Sequence, residues 1–186
     1  MICKEKVHYL EMTDPGQLVA PKRRAEELEV RKFSRPLPEM NRFFYQTIGK
    51  DWNWTERLPW DFAQWASYLS QPGLETWLAL HDSTPAGYFE LLPDADGGVE
   101  IVMFGLLTPF TGQGLGGHLL CFAVRRAWAM GPHRVWLHTS SLDHPHALAH
   151  YQARGFRLTR VEEQDKLMPV SAPNAWGEYP GDPLNP

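Results

Sequence analysis

Apolar residues change their spacing several times along the first part of the chain, and each spacing predicts a different element. Leu28 and Val30 alternate with charged residues, which predicts a strand. Helical spacing follows, and Pro38 is well suited to open the first of two helices because its fixed backbone angle fits a first turn. The elements expected up to residue 107 are a strand over 28–33, helices over 38–48 and 59–70, and strands over 76–81, 86–92 and 99–107.

Beyond residue 107, helical and strand spacing alternate. A helix is expected over 114–130, a strand over 135–139, a helix that begins after Asp143 as N-cap and reaches Arg154, and a strand over 156–161. An earlier run, Val7 to Met12, alternates only in part and is not assigned to a strand. This order predicts an α/β fold with a mixed sheet, mostly antiparallel and then parallel, of about six or seven strands with helices on both faces.

The length and composition fit one folded domain. The chain has 186 residues, of which 43% are hydrophobic, enough to bury a core without disulfide or metal support. We expect a single domain over residues 1–170. Residues 171–186 contain four prolines and no periodicity, which predicts an extended or disordered tail.

Charge and cysteine content argue against several classes of protein. Lys and Arg number 18 against 22 Asp and Glu, so the net charge of −4 does not favour binding to nucleic acid or anionic membrane. Two cysteines, Cys3 and Cys121, are too few for a secreted disulfide framework. No apolar run approaches the ~18 residues of a membrane-spanning helix. We therefore expect a cytoplasmic protein with neither a nucleic-acid nor a membrane partner.

A glycine-rich segment between a predicted strand and a predicted helix is the strongest local signal. Residues 111–117 read Thr-Gly-Gln-Gly-Leu-Gly-Gly. Glycines let the backbone approach a ligand closely, and the unpaired N–H groups at a helix N-terminus attract an anion such as phosphate. A tight turn with no ligand is the alternative. A dinucleotide fingerprint is also formally matched, but the acidic residue that it needs at the end of the next strand is missing.

Histidines close to this segment raise the question of a metal. His146 and His150 are spaced for one helix face, with His144 nearby, which allows a zinc hypothesis. No cysteine pairing accompanies them, and such histidines are more often simply exposed positions on a helix. No metal site is expected.

Two motifs resemble those of the GNAT superfamily of acetyl-CoA-dependent N-acetyltransferases. Residues 111–116 match the pyrophosphate loop of that superfamily, Gln/Arg-x-x-Gly-x-Gly/Ala, except that Thr111 replaces Gln or Arg. Residues 147–156 resemble its closing signature, in which Ala, Tyr and Gly-Phe recur at these spacings, although His144 stands where Asn is usual. The resemblance implies a GNAT fold, acetyl-CoA as co-substrate, no metal, and an amine acceptor on a small molecule or peptide.

The resemblance also implies roles for named residues. The backbone of the strand residues Phe104, Gly105 and Leu106 would bind the pantetheine arm. The loop would hold the pyrophosphate, and its members are Thr111, Gly112, Gln113, Gly114, Leu115, Gly116 and Gly117.

Two side chains are the candidate catalytic residues. Glu100 matches a catalytic glutamate of some members and would take a proton from the acceptor ammonium, directly or through water. The alternative is a strand residue paired with a surface cation. Tyr151 matches a tyrosine beside the thioester sulfur and would protonate the leaving thiolate, or it is an ordinary core tyrosine.

Several tryptophans cluster near the junction of the first two helices, a region that often borders the acceptor pocket in this superfamily. Trp52 and Trp54 lie in a predicted loop and are the better pocket candidates, whereas Trp65 has helical neighbours typical of a core residue. The function expected is N-acetyl transfer from acetyl-CoA by direct attack in a ternary complex, by a monomer or homodimer. The alternative is a degenerate acyl-CoA-binding or regulatory domain of the same fold.

Overall fold

A computed structural model describes residues 2–22 and 28–167. The described residues form seven strands and four α-helices, in the order β1 (Ile2–Met12), β2 (Leu28–Lys32), α1 (Pro38–Gly49), α2 (Phe62–Leu69), β3 (Glu75–His81), β4 (Thr84–Pro93), β5 (Val99–Leu106), α3 (Leu115–Trp128), β6 (Val135–Ser140), α4 (Ala147–Ala153) and β7 (Arg157–Leu167). The tail expected over 171–186 lies outside the described residues.

All seven strands form one mixed sheet. Their order across the sheet is β2-β3-β4-β5-β6-β1-β7, and every neighbouring pair is antiparallel except the parallel pair β5 and β6. The predicted fold class, a mixed α/β sheet of this size, is thus confirmed. The final strands of the chain do not pair directly with each other, because β1 lies between β6 and β7.

Strand β1 was not assigned from the sequence, because buried residues lie on both of its faces. Its register with β6 is continuous from Val7 to Met12, so Val7 and Leu10, an odd number of positions apart, point to opposite faces, and both are buried. A strand that is buried on both faces does not show a clean period of two, and the register shift between β1 and β7 leaves the extra residue, Thr159, on β7. The charged residues after Val161 also continue β7 to Leu167 as an exposed edge strand, longer than predicted.

Helices cover both faces of the sheet. Neighbouring β4 residues show this, since Phe89 belongs to the main core beneath α3, whereas Tyr88 packs against Phe44 of α1 with ring centroids 5.0 Å apart. Successive strand residues point to opposite faces, so α1 and α3 lie on opposite sides. Leu148 and Tyr151 of α4 pack on the α3 side.

A buried ion pair anchors the segment that joins α1 to α2. The Arg57 guanidinium lies 3.3 Å from the Glu90 carboxylate, and neither side chain is more than 10% exposed. Four aromatic rings surround the guanidinium, at 4.0 to 5.8 Å from their centroids. Asn41 and Tyr68 donate hydrogen bonds of 2.6 and 2.7 Å to the same carboxylate. The connection between the helices is therefore fixed to the centre of the sheet.

Candidate functional site

The site begins where two parallel strands separate. Strands β5 and β6 pair only through Val99 with Val135 and Glu100 with Trp136. Val102 has no partner in the register between β5 and β4, which marks a bulge just beyond that point. Past Glu100 the β6 side of β5 carries no strand, so its backbone groups face open space.

A cavity of about 470 Å³ lies at this separation. Gly105 is required here because a Cβ on it would come within 2.6 Å of Ile48 in α1. The lining comes from β5, the glycine-rich loop, α4, the α1–α2 connection and the segment after β1; it consists of Pro21, Ile48, Trp52, Trp54, Phe104, Gly105, Leu106, Thr111, Gly112, Gly114, Gly116, Gly117, Asp143, His144, His146, Ala147, His150, Tyr151 and Arg154.

The glycine-rich loop presents open backbone at the N-terminus of α3. Gly112 and Gly114 have φ angles of +75° and +83°, the left-handed region that favours glycine. A Cβ on either would meet nothing within 4 Å. Gly114 is the N-cap and supplies no side-chain cap to the first N–H groups of the helix. These donors and the helix dipole make this end of the cavity attractive to an anion.

A cationic side chain strengthens the same end. The Nε and Nη1 atoms of Arg154 are buried without a hydrogen-bond partner among the described residues, as is Nε2 of His150. A Cβ on Gly117 would lie 3.8 Å from Arg154 Nη1, so the guanidinium stands beside the loop. Burial and the Arg154 charge lower the pKa of His150, which keeps that ring neutral at pH 7. The unpartnered N–H donors of Arg154 at the cavity lining fit an anionic ligand.

Tyr151 lines the same cavity from α4. Its ring contacts Phe104, His150 and Phe156, with centroids 5.8 to 6.3 Å apart. Burial, and to a lesser degree the Asp143 carboxylate, raise the pKa of the phenol. The phenol therefore stays protonated at neutral pH and can act as a proton donor.

Asp143 does not cap α4, so that expectation was wrong. The helix begins at Ala147 with His146 at the N-cap. The Asp143 carboxylate instead accepts hydrogen bonds from the Thr139 hydroxyl at 2.6 Å and from Trp54 Nε1 at 3.1 Å. This contact ties the α1–α2 connection to the end of β6 and places a carboxylate in the cavity lining.

The tryptophans near the junction of α1 and α2 fall into two groups, those that line the cavity and one that packs in the interior, as their positions in the sequence predicted. Trp52 and Trp54 line the cavity, and the Trp52 ring lies 4.7 Å from that of His144. Trp65 is 1% exposed and packs in the interior.

Glu100 stands outside the cavity lining. Its Oε1 atom lies 3.0 Å from Nδ1 of His138, and its side chain is 15% exposed. The carboxylate is therefore in a hydrogen bond across β5 and β6, at the point where the strands begin to diverge. A catalytic role for Glu100 stays a prediction.

The structure brings most of the predicted cofactor residues into one cavity. Phe104, Gly105, Leu106 and five of the seven loop residues line it. Gln113 is outside the lining and donates to the Pro109 carbonyl at 2.7 Å, and Leu115 is 3% exposed in the core. Sequence reasoning missed Pro21, Ile48, Asp143 and Arg154, because no local motif indicates that distant segments meet at this cavity.

Within residues 2–22 and 28–167, no group of three or more His, Cys, Asp or Glu could hold a metal ion. In the same ranges, no helix has the length and apolar character needed to span a membrane.

A mixed sheet, a divergent strand pair and an anion-attracting loop thus occur together in this α/β domain. The chain matches the model of the acetyltransferase (GNAT) family over residues 35–156. This match covers more than half of the chain, and the protein belongs to the acetyltransferase (GNAT) family. A comparison with curated proteins found no match.

Solved structures share the fold at low sequence identity. A functionally unknown conserved protein from Staphylococcus epidermidis is 18% identical with a TM-score of 0.63, over 88% of this chain and 62% of that one. A GCN5-related N-acetyltransferase from Kribbella flavida is 20% identical with a TM-score of 0.61, over 88% and 58%. An aminoglycoside acetyltransferase from an uncultured soil metagenomic sample, in complex with trehalose, is 15% identical with a TM-score of 0.56, over 68% and 86%. The chain spans about 51–62% of the length of the first four structures.

Proposed function

We propose that the protein is an N-acetyltransferase that moves the acetyl group of acetyl-CoA to a primary amine, by direct attack in a ternary complex. The observation that carries this proposal is the junction of three features at one cavity: the divergence of β5 from β6, the open loop before α3, and Tyr151 of α4 in the lining. The proposed acceptor is the amine of a small molecule or peptide.

The residues at the cavity fit the co-substrate. A diphosphate needs several donors and positive potential, which Gly112 to Gly117 and Arg154 supply together. A pantetheine arm carries amide groups, which the unpaired backbone of Phe104, Gly105 and Leu106 would bind in the manner of an added strand. The Thr111 hydroxyl donates to the Thr108 carbonyl at 2.8 Å, so it holds the turn and leaves binding to the backbone.

Two side chains carry the proposed proton transfers. When bound, acetyl-CoA supplies an activated acetyl thioester. Glu100 takes part in removing a proton from the acceptor ammonium, since only the neutral amine attacks. The Tyr151 hydroxyl, kept protonated by burial, donates a proton to the sulfur that leaves.

One observation favours the alternative of an acyl-CoA-binding domain without catalysis. Glu100 is hydrogen-bonded to His138 and does not line the cavity, so the candidate base has no contact with the cavity that the predicted cofactor residues line. This alternative predicts binding of CoA without turnover.

A paired measurement tests the function. Acetyl-CoA is titrated into the protein by calorimetry, and thiol release from acetyl-CoA is followed with a panel of primary amines and peptides. The proposal expects binding together with thiol release that depends on the amine. Binding without release for every amine supports the alternative, and absence of binding contradicts both. Cytoplasmic location and the choice between monomer and homodimer stay predictions.

A further inference from the structure

His138 and Glu100 form a close pair that no cofactor role accounts for. They lie on neighbouring strands β6 and β5, with Nδ1 of His138 3.0 Å from Oε1 of Glu100. Val135 and Leu137 of β6 are buried in the main core, so His138 points to the opposite face, the face covered by α1. Both side chains stand where the pairing of the two strands ends.

The hydrogen bond to the Glu100 carboxylate fixes which tautomer the neutral His138 imidazole adopts. Because a carboxylate only accepts, Nδ1 of His138 carries the hydrogen and Nε2 carries the lone pair of the neutral ring. Nε2 makes no hydrogen bond to any residue in the described part of the chain. The His138 side chain is 45% exposed, three times the fraction for Glu100. The imidazole is thus the more accessible member of the pair.

Three carboxylates and one aromatic ring from the neighbouring elements surround the His138 ring. Glu100 approaches from β5, the Tyr9 ring from β1 at 5.9 Å, Asp143 from the β6–α4 connection and Glu56 from the α1–α2 connection. The hydrogen bond to Glu100 and the three negative charges raise the pKa of His138, against the opposing effect of burial. A raised pKa makes the neutral imidazole a stronger base, which suits a group that accepts a proton.

Asp143 connects this pair to the cavity. It lines the cavity and shifts the pKa values of both Tyr151 and His138 upward. The Tyr151 phenol on α4 and the His138 imidazole on β6 are therefore both within electrostatic reach of the Asp143 carboxylate. The two groups lie on two sides of the gap between β5 and β6.

We propose that His138 is the general base of the acetyl transfer and that Glu100 is the positioning residue that orients it. This inference rests on the proposed function. In the step, the ammonium of the acceptor gives one proton to Nε2 of His138, which leaves a neutral amine and an imidazolium paired with the Glu100 carboxylate. The neutral amine then forms the C–N bond to the carbonyl carbon of the thioester, and the C–S bond breaks as the Tyr151 hydroxyl gives its proton to the sulfur. The second proton lost by the nitrogen restores the Tyr151 hydroxyl through solvent, and the imidazolium returns its proton to solvent. Glu100 acts through the imidazole because its Oε1 atom is already engaged.

Three variants test the assignment. His138→Gln removes the base, Glu100→Gln keeps the shape and removes the charge, and His133→Gln is the matched control. His133 is also hydrogen-bonded through Nδ1, at 3.0 Å to the Gly97 carbonyl, and lies outside the cavity lining. Thiol release from acetyl-CoA is measured from pH 5.5 to 9.5 with the amine panel, and the His138 ring is titrated by NMR in the free protein.

The proposal expects three results. His138→Gln lowers kcat/KM by roughly 100-fold or more and removes the acid limb of the pH profile. Glu100→Gln lowers kcat/KM by a smaller factor and moves the acid limb of the pH profile to lower pH. The midpoint of the His138 NMR titration moves to lower pH as well, because the negative charge that raised the pKa of the imidazole is gone. His133→Gln matches the wild type.

Two results overturn the inference while the proposed function stands. One is near wild-type turnover of His138→Gln. The other is an NMR titration of His138 that Glu100→Gln does not shift. If the wild type binds acetyl-CoA but releases no thiol with any amine, the proposed function fails and the inference fails with it.

Discussion

Replacing Gly116 with Asp should change cofactor affinity and folding stability in opposite directions. Gly116 is the second residue of α3, and a Cβ on it would meet His150 Cε1 and Leu106 Cδ1 at 3.7 Å, which is ordinary van der Waals contact. The side chain therefore fits the fold. An acidic residue in a first turn also interacts favourably with the helix dipole and replaces a poor helix former, so the free energy of unfolding should rise by about 0.5–1 kcal/mol.

The same carboxylate would stand at the proposed diphosphate seat. For a separation on the order of 5 Å, a unit charge repels a dianion by about 1.7 kcal/mol even with the dielectric constant of bulk water. The Kd for acetyl-CoA should therefore rise at least about tenfold. Calorimetry measures the Kd, and urea unfolding measures stability.

Two control variants separate charge from bulk. Gly116→Ala adds the Cβ without the charge and should have a small effect on affinity. Gln152→Glu adds the same charge at an exposed α4 position outside the cavity lining and should leave the affinity unchanged. An unchanged Kd for a folded Gly116→Asp protein would refute the assignment of this loop to the cofactor.

Three further predictions concern single interactions. Arg57→Met leaves the Glu90 carboxylate buried without its cation and should lower the free energy of unfolding by about 3–5 kcal/mol in urea, whereas a loss below about 1 kcal/mol contradicts the role of the pair. Burial by itself raises the pKa of Glu75, but hydrogen bonds, foremost from Arg126, outweigh it and lower the pKa to about 2. The folded state therefore holds Glu75 ionised more strongly than the unfolded state does, and up to about 3 kcal/mol of stability should be lost as the pH falls from about 5 to 2. Glu75→Gln should flatten that dependence in urea midpoints measured across this range. Tyr151→Phe should lower kcat by roughly 100-fold with no recovery at high pH and no change in acetyl-CoA affinity; recovery at high pH would argue against a proton-donor role.

Local patterns predicted the parts of the fold that depend on neighbouring residues. The helix after the glycine-rich loop and the strands on each side of it follow from spacing and residue type within a few positions. Tyr151 and the glycine-rich loop also line the same cavity, as the motif resemblance implied.

Contacts between distant segments were not predictable in this way. β1 is inserted between β6 and β7, and burial on both of its faces hides its alternation. The hydrogen bond between Glu100 and His138 joins positions 38 residues apart through strand register. Asp143 has the residue type of an N-cap, yet the Trp54 indole from another segment and the end of β6 engage its carboxylate. Such partners follow from tertiary packing, which no single stretch of sequence encodes.

The stoichiometry of product formation tests the central claim most directly. Acetyl-CoA labelled in the acetyl group is incubated with the protein and a primary amine from the panel, and both the free thiol and the acetylated amine are counted, the latter by mass spectrometry. The account predicts one labelled acetyl-amine for each thiol released, at a rate that saturates with both substrates and falls for Gly116→Asp at low acetyl-CoA. Tight binding of acetyl-CoA without transfer of label to any amine would contradict it.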